Sequence, residues 1–493
     1  MTTNNPVLRR KQRVSGRLSK WLSRKFIDEK LNNWVGWILF GLLAVSLGYL
    51  MAAQMTVGAS ILGIVIGICL VIPVFASSGV GLAFIFIYNL YIYVVPRLTG
   101  LYDLKVGIGY DALLICTLLG FVLRREGMGK GSAELFRTPV MIWTTVLYLW
   151  TALEIANPLA HSFQGWYISF RVATESFLLF IISYHVMKSQ RRINQYLAVL
   201  FWASFFCALY GCITQWHGIF PFERAYIGRL KGGSVYYAGQ VRIFSTASGP
   251  TGFGMDMAGA AVMFIILGLN EKRKRLKWAY FFGVLIMILG STYSGTRTSN
   301  IMLIAGLGIY ILLNFDKKQT RMFAGAMVLL LLIVIKLPYY SNPTLNRFRS
   351  TFEGKHDESY LVREVNRKRI QPYIYTHPMG GGLGTTNAQG LVYNPGHPLA
   401  DFQTDDGYLK TALEIGSIGL LITCILYFCI LRMGVREYFR TDKPRNRAVL
   451  AACLACLFSF MLADLAQEGI NEITNVAIYY PVIAIMLRIN YVT

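Results

Sequence analysis

Along most of this chain the apolar residues come in unbroken runs, not in the three-to-four spacing of a surface helix or the alternation of a half-buried strand. Each run approaches the roughly 20 residues that an α-helix needs to cross a bilayer. The runs fall at 35–53, 57–75, 79–96, 107–123, 139–155, 168–187, 195–214, 251–269, 277–291, 299–315, 322–338, 408–431, 446–465 and 474–489. This pattern predicts an all-α, polytopic membrane protein of about 14 transmembrane helices. Residues 338–407 are polar and glycine-rich, far too long for a turn, and predict a large, partly helical loop. The organisation expected is a basic amphipathic tail over 1–33, helices 1–11 over 34–337, the loop over 338–407, and helices 12–14 over 408–493.

Charge gives this array a direction. The 493-residue chain is 55% hydrophobic yet carries a formal charge of +23. With the N-terminus inside, 31 of the 48 lysines and arginines fall in inner segments: 1–34, 124–138, 188–194, 270–277, 316–321, 432–447 and Arg488. The loop over 338–407 instead balances seven basic against seven acidic residues. This positive-inside pattern predicts an even number of spans with both termini cytoplasmic and the long loop outside. The positive charge therefore reports topology and contact with anionic lipid, and no nucleic-acid partner is expected. The first 33 residues are polar and basic, so no cleavable signal peptide is expected. Val14, Leu18, Trp21, Leu22 and Phe26 share one helical face among basic residues, as in a helix lying on the cytoplasmic interface. All eight cysteines lie in predicted spans, and Cys453-Leu-Ala-Cys456 lacks the partner pair and polar surroundings of a zinc site.

The candidate chemistry lies in the outward segments. Arg242 and Arg297 stand at predicted outer membrane borders, in RIFSTASG and SGTRTS. Arginine at that depth needs a partner or water, and its planar fork suits phosphate oxygens. Arg171 has Glu175 one turn later, so an i,i+4 ion pair accounts for both. In the long loop, Ser359–Thr376 is helix-compatible until Pro372 bends or ends it, and Arg363 shares a face with Arg367. After His377-Pro378 come Gly380, Gly381, Gly382 and Gly384, a turn whose N–H groups could face an anion. His397 is close in sequence to Asp401, Asp405 and Asp406, where an imidazole or carboxylate could act as general base. Asp405-Asp406-Gly407 also reads as an N-cap for the helix that starts at Tyr408. No metal-ligand spacing occurs among the histidines, and neither metal nor cofactor is expected.

With these residues in hand, the chain resembles the O-antigen ligase and polymerase superfamily, membrane enzymes that join glycans carried on polyprenyl diphosphate. The matching elements are LEIANP near Glu154–Pro158, GWYISFR ending at Arg171, RIFSTASGPTGFG, SGTRTS, and HPMGGGLG followed by TDDGYLKTALEIG, over roughly residues 139–431. The resemblance implies a helical membrane glycosyltransferase fold with substrate at the outer leaflet. It also implies that Arg242 and Arg297 hold the diphosphate of the lipid donor, and Arg363 is expected beside them. Arg171, Gly382, Gly384, His377 and Tyr408 are the expected substrate-pocket residues. Ligases of the family place a histidine just before the aromatic that begins the next helix. This chain has Asp405-Asp406-Gly407-Tyr408-Leu409 there, which is closer to the chain-extending polymerases.

The expected function is therefore polymerisation of surface polysaccharide repeats. Glycan would move from a polyprenyl-diphosphate carrier to a hydroxyl of another lipid-linked repeat, with Asp405, Asp406 or His397 as base. Should none of these serve, Glu414 and His377 are the next candidates. A flippase and a chain-length regulator of the same pathway are the expected protein partners. The alternatives are an O-antigen ligase, with a lipid or protein acceptor, and a transporter or flippase for an anionic solute. Against the last, the polar residues cluster outside the bilayer midplane and no internal repeat is evident.

Overall fold

The computed structural model describes residues 34–53, 61, 67, 71–102, 104–125, 130–229, 235–237, 240–336, 358–404, 406–470 and 472–492. The chain divides into two compact units, 1–73 and 74–493. In the first, helix α1 (Trp34–Ala53) is apolar throughout, and Trp34, Trp37, Leu42, Val45 and Tyr49 are exposed, the composition of a helix solvated by lipid. The interfacial helix expected over Val14–Phe26 lies outside the described residues, as do 57–60, 62–66 and 68–70 of the run at 57–75.

The second unit is a helical bundle. Its N-terminal part comprises α2 (Ser78–Tyr91), α3 (Val94–Thr99), α4 (Gly107–Leu123), α5 (Lys130–Phe136), α6 (Pro139–Leu153), α7 (Phe163–Val186), α8 (Gln190–His217) and α9 (Pro221–Arg229). A 3-10 turn at Glu154–Ala156 follows α6. Next come α10 (Pro250–Asn270), α11 (Lys274–Tyr293), α12 (Arg297–Leu313), α13 (Lys318–Lys336), α14 (Glu358–Thr376) and α15 (Asn387–Tyr393). The chain closes with α16 (Gly407–Glu414), α17 (Gly416–Arg440), α18 (Pro444–Ala463) and α19 (Ile473–Arg488). Extended pairing among the described residues is a two-residue antiparallel ladder, Tyr236 to Val241 and Tyr237 to Gln240.

Among the described residues, seven helices are long and apolar enough to cross a membrane: α6 with its turn, α7, α8, α10, α11, α17 and α18. Shorter apolar helices occupy 78–91, 107–123, 297–313 and 474–488. The all-α, polytopic membrane fold expected from the hydrophobic runs is the fold observed. Its centre is α10, buried along almost its whole length, with α11, α12 and α18 packed around it. Lipid tails are as apolar as leucine, so close backbone approach through small residues has to hold such helices together. A side chain at Gly259 would lie 2.7 Å from the Phe460 ring, and one at Gly306 would run into Ser459 and Val262.

One boundary differs from expectation. The run over 408–431 is not one span: it breaks between Glu414 and Gly416, where Gly416 adopts φ +76°. Helix α14 passes through Pro372 and ends at Thr376, immediately before His377-Pro378. The Thr376 hydroxyl donates to the Pro372 carbonyl within that last turn.

Candidate functional site

The break between α16 and α17 leaves carbonyl groups at the end of α16 without intrahelical partners. Two of them find one in the glycine turn: Gly381 N–H donates to Leu413 O at 2.7 Å and Gly382 N–H to Glu414 O at 3.0 Å. Ile415 O, which takes Gly419 N–H at 3.2 Å, also accepts from the Trp150 indole N–H at 3.0 Å. Asn157 joins the same knot: its amide donates to the Glu154 carboxylate at 2.8 Å and to Gly380 O at 3.3 Å. The segments LEIANP, HPMGGGLG and ALEIG thus fold into one junction.

That junction corrects one expectation. The N–H groups of Gly381 and Gly382 are bonded to helix carbonyls and do not face an anion. The glycines serve close approach instead. Gly382 (φ +92°) lies against Ala160, and Gly384 (φ +70°) against the backbone of Gly165, near the start of α7.

Below the junction lies a cavity of about 360 Å³, walled by α6, α7, α16, α17 and α19 and by the connection between α18 and α19. Its outer end is polar, with Gln389, Lys410, Thr411, Glu414, Asp464 and Glu468. Lys410 pairs with Glu468 at 2.8 Å, and Glu468 also accepts from Asn387 at 2.9 Å and Thr404 at 3.1 Å. Glu414 accepts from the Thr386 hydroxyl at 2.6 Å. Asp464 is fully engaged, taking Gly469 N–H and Ile470 N–H on one oxygen and the Tyr427 hydroxyl on the other. Further in, the walls become apolar through Phe177, Phe180, Leu426, Ile430 and Ile483. Along α17 the cavity is lined by Thr423, Leu426, Tyr427 and Ile430. A polar mouth on an apolar slot suits an amphipathic ligand.

The two border arginines come together on a neighbouring segment. Arg242 donates from Nε to Ser294 O at 2.9 Å and from Nη2 to the Thr296 hydroxyl at 3.1 Å. Thr296 is the N-cap of α12, and half-buried Arg297 is the first residue of that helix. Thr296 in turn donates to Pro250 O at 3.1 Å, fixing the start of α10 to the same point. The intervening residues are pinned by Arg97, whose buried guanidinium donates to Ser245 O and Ala247 O. It pairs with Glu223 at 3.7 Å and lies 4.5 Å from the Phe244 ring centroid and 5.0 Å from that of Tyr226. Ser245 holds a left-handed backbone, φ +47°, within this grip. Glu472, from the connection that also supplies Asp464 and Glu468, accepts from Ser248 at 3.2 Å. Burial pushes the Glu472 carboxyl up to about 7.

The remaining expected residues are placed as follows. Asp405 and the Arg363 side chain lie outside the described residues. Asp406 caps α16, accepting Leu409 N–H at 2.6 Å, and its other oxygen takes Arg367 at 2.8 Å. His397 accepts Leu399 N–H on Nδ1 at 3.1 Å, which leaves Nε2 as its N–H, buried and without a partner among the described residues. Burial, then the neighbouring His161 and His377, lowers the His397 pKa and favours the neutral ring. His377 stacks on Tyr373 with centroids 4.0 Å apart. Tyr408 donates to Met461 O at 3.1 Å and sits edge-on behind Tyr427. Arg171 forms the expected pair with Glu175 at 3.3 Å and a second with Asp111 of α4 at 2.9 Å. It therefore engages α4, whereas its helix lines the cavity with Ser169, Ala173 and Ser176.

Sequence reasoning did not find Lys410, Glu468, Glu472 or Arg97. Their only signal was a charge inside or beside an apolar run, which is a functional prompt in its own right.

Residues 282–424 match the family model described as O-antigen ligase. That segment holds Arg297, the glycine junction and α16, so the match supports the superfamily that the motifs resemble. Arg242, Asn157 and Glu468 lie outside it. No curated protein matches the chain. The match and the membrane helices together support an integral membrane protein, a glycosyltransferase-like enzyme with an O-antigen ligase or polymerase type of function.

Proposed function

We propose that the chain polymerises surface polysaccharide repeats at the outer leaflet of the bacterial cytoplasmic membrane, with both termini and the basic connections inside. The donor is a glycan on polyprenyl diphosphate, and the acceptor is a sugar hydroxyl of a second lipid-linked repeat. The observation that carries this reading is the polar-mouthed slot of about 360 Å³, beside a segment that brings Arg242 to the N-cap preceding Arg297. The arginines bind the diphosphate. As the glycosidic C–O bond breaks, its electron pair leaves with the diphosphate, and the guanidinium groups offset the developing charge without a metal. The acceptor oxygen forms the new bond to the anomeric carbon, and its proton passes to a carboxylate at the mouth.

Glu414 is the best-placed carboxylate for that proton. It lines the cavity and accepts a hydrogen bond from Thr386, while Asp464 is saturated and Asp406 is committed to its cap and to Arg367. Asp405 and His397 remain the competing bases. Polymerase is favoured over ligase by the Asp405-Asp406-Gly407-Tyr408 segment, which lacks the ligase histidine. Lipid-linked glycans from cells lacking the protein test this directly. Single unpolymerised repeats are expected; full-length glycan still on its carrier would indicate a ligase, and an unchanged profile would reject both.

A further inference from the structure

At the far end of α10 the bundle opens a second time. Helix α10 has 21 residues, which sets this end ~30 Å from Pro250 at 1.5 Å per residue. A cavity of about 1000 Å³ lies here between the start of α8, the α10–α11 turn, the start of α13 and the start of α18. Lys272, Arg273 and Arg445 line it, with the amides of Asn194, Asn270 and Gln319. Its one carboxylate is Glu271, already engaged by Arg273 at 3.3 Å and by that residue's backbone N–H at 3.0 Å. Arg445 is held in position by a 2.8 Å bond to the Asn194 side-chain oxygen. Helices α11, α13 and α18 all begin at this end, so three sets of unsatisfied N–H groups and positive dipole ends add to the side-chain charge. The inner wall is apolar, through Leu197, Leu267, Leu276 and Val449.

We propose that this cavity binds the phosphate of an anionic phospholipid from the inner leaflet. Basic groups at the mouth match the phosphate, and the apolar wall between helices matches the first part of an acyl chain, a pairing that a free anion does not use. The ligand is distinct from the glycan substrate, which works at the other end of α10.

Native mass spectrometry of the purified full chain, titrated separately with phosphatidylglycerol, phosphatidylcholine and inorganic phosphate, tests it. Phosphatidylglycerol is expected to form a one-lipid complex that phosphatidylcholine does not form. The combined variant Lys272→Ala, Arg273→Ala, Arg445→Ala should weaken it on the order of a hundredfold, at about fivefold per basic group. A charge-matched control, Lys188→Ala, Arg432→Ala, Arg436→Ala, removes exposed basic residues that do not line the cavity. The control should retain binding, and both variants should melt like the parent. Displacement of the lipid by millimolar inorganic phosphate would keep the phosphate site but reject the lipid. Equal binding of phosphatidylcholine, or equal losses in the two variants, would overturn the site.

Discussion

Gly416→Ala probes how the broken helix positions the site. Gly416 has φ +76°, and a left-handed backbone costs an L-residue about 1–2 kcal/mol. A Cβ there would also run into Pro378 O and lie 2.5 Å from the Met379 carbonyl carbon. Those are backbone atoms of the glycine junction, so the junction itself must move. Moving it strains the bonds from Gly381 to Leu413 and from Gly382 to Glu414, each worth about 1 kcal/mol. The sum is about 3–4 kcal/mol, large against the marginal stability of most folds. Gly396→Ala is the matched control, because Gly396 has φ +87° and nothing within 4 Å of its would-be Cβ. It should show the backbone term alone, about 1–2 kcal/mol. Thermal melting of purified variants in one detergent, paired with glycan transfer, reads both effects. Gly416→Ala should melt well below Gly396→Ala and lose transfer, since Lys410 and Glu414 are then displaced. Equal melting and equal transfer for the two alanine variants would refute the reasoning.

Other substitutions separate the roles at the site. Arg297→Lys keeps the charge but loses the two-pronged fork, and transfer should fall by roughly tenfold or more; undiminished transfer would make Arg297 a lipid anchor. Glu414→Gln cannot accept a proton, so transfer should fall by about a hundredfold or more. Asp406→Asn keeps the cap, and its Arg367 partner is more than half exposed, so it should retain most stability and activity. The reverse ranking of Glu414→Gln and Asp406→Asn would move the base to Asp406. Glu472 titrates near 7 in the folded protein because it is buried, above the ordinary carboxyl range. Its contribution to stability is therefore fully present below about pH 4 and lost as pH rises through 7. Melting temperatures between pH 5 and pH 8 should fall less for Glu472→Gln than for the parent, and parallel profiles would count against a raised pKa.

Much of the bundle was legible because lipid imposes one rule: every spanning backbone must satisfy its own hydrogen bonds, so apolar length alone marks the helices. The break after Glu414 was not legible, because Ile415 and Gly416 are as apolar as the residues around them. What breaks the helix is a distant turn, Pro378–Gly382, whose N–H groups take over its carbonyls. Arg242 and Arg297 stood out as costly charges at a membrane border, and the structure connects them through Thr296. Asp406 carried two readings in the sequence, and its bonds to Leu409 and Arg367 match the capping one. Lys410 and Glu468 could not be paired beforehand, since 58 residues separate them and only the docking of α16 on the α18–α19 connection joins them. Arg97 follows directly on the run at 79–96, and nothing in that stretch signals the carbonyls of Ser245 and Ala247.

The central claim is that the polar-mouthed slot and the two arginines on the neighbouring segment transfer glycan from a polyprenyl-diphosphate carrier. Reconstitution of the purified protein in liposomes with a lipid-linked oligosaccharide tests it without other enzymes. The account predicts that the parent releases polyprenyl diphosphate in step with longer lipid-linked glycan, and that Arg242→Ala and Arg297→Ala, folded and inserted, release almost none. Release at the parental rate by either alanine variant, or no conversion of the lipid-linked donor by the parent, would contradict it.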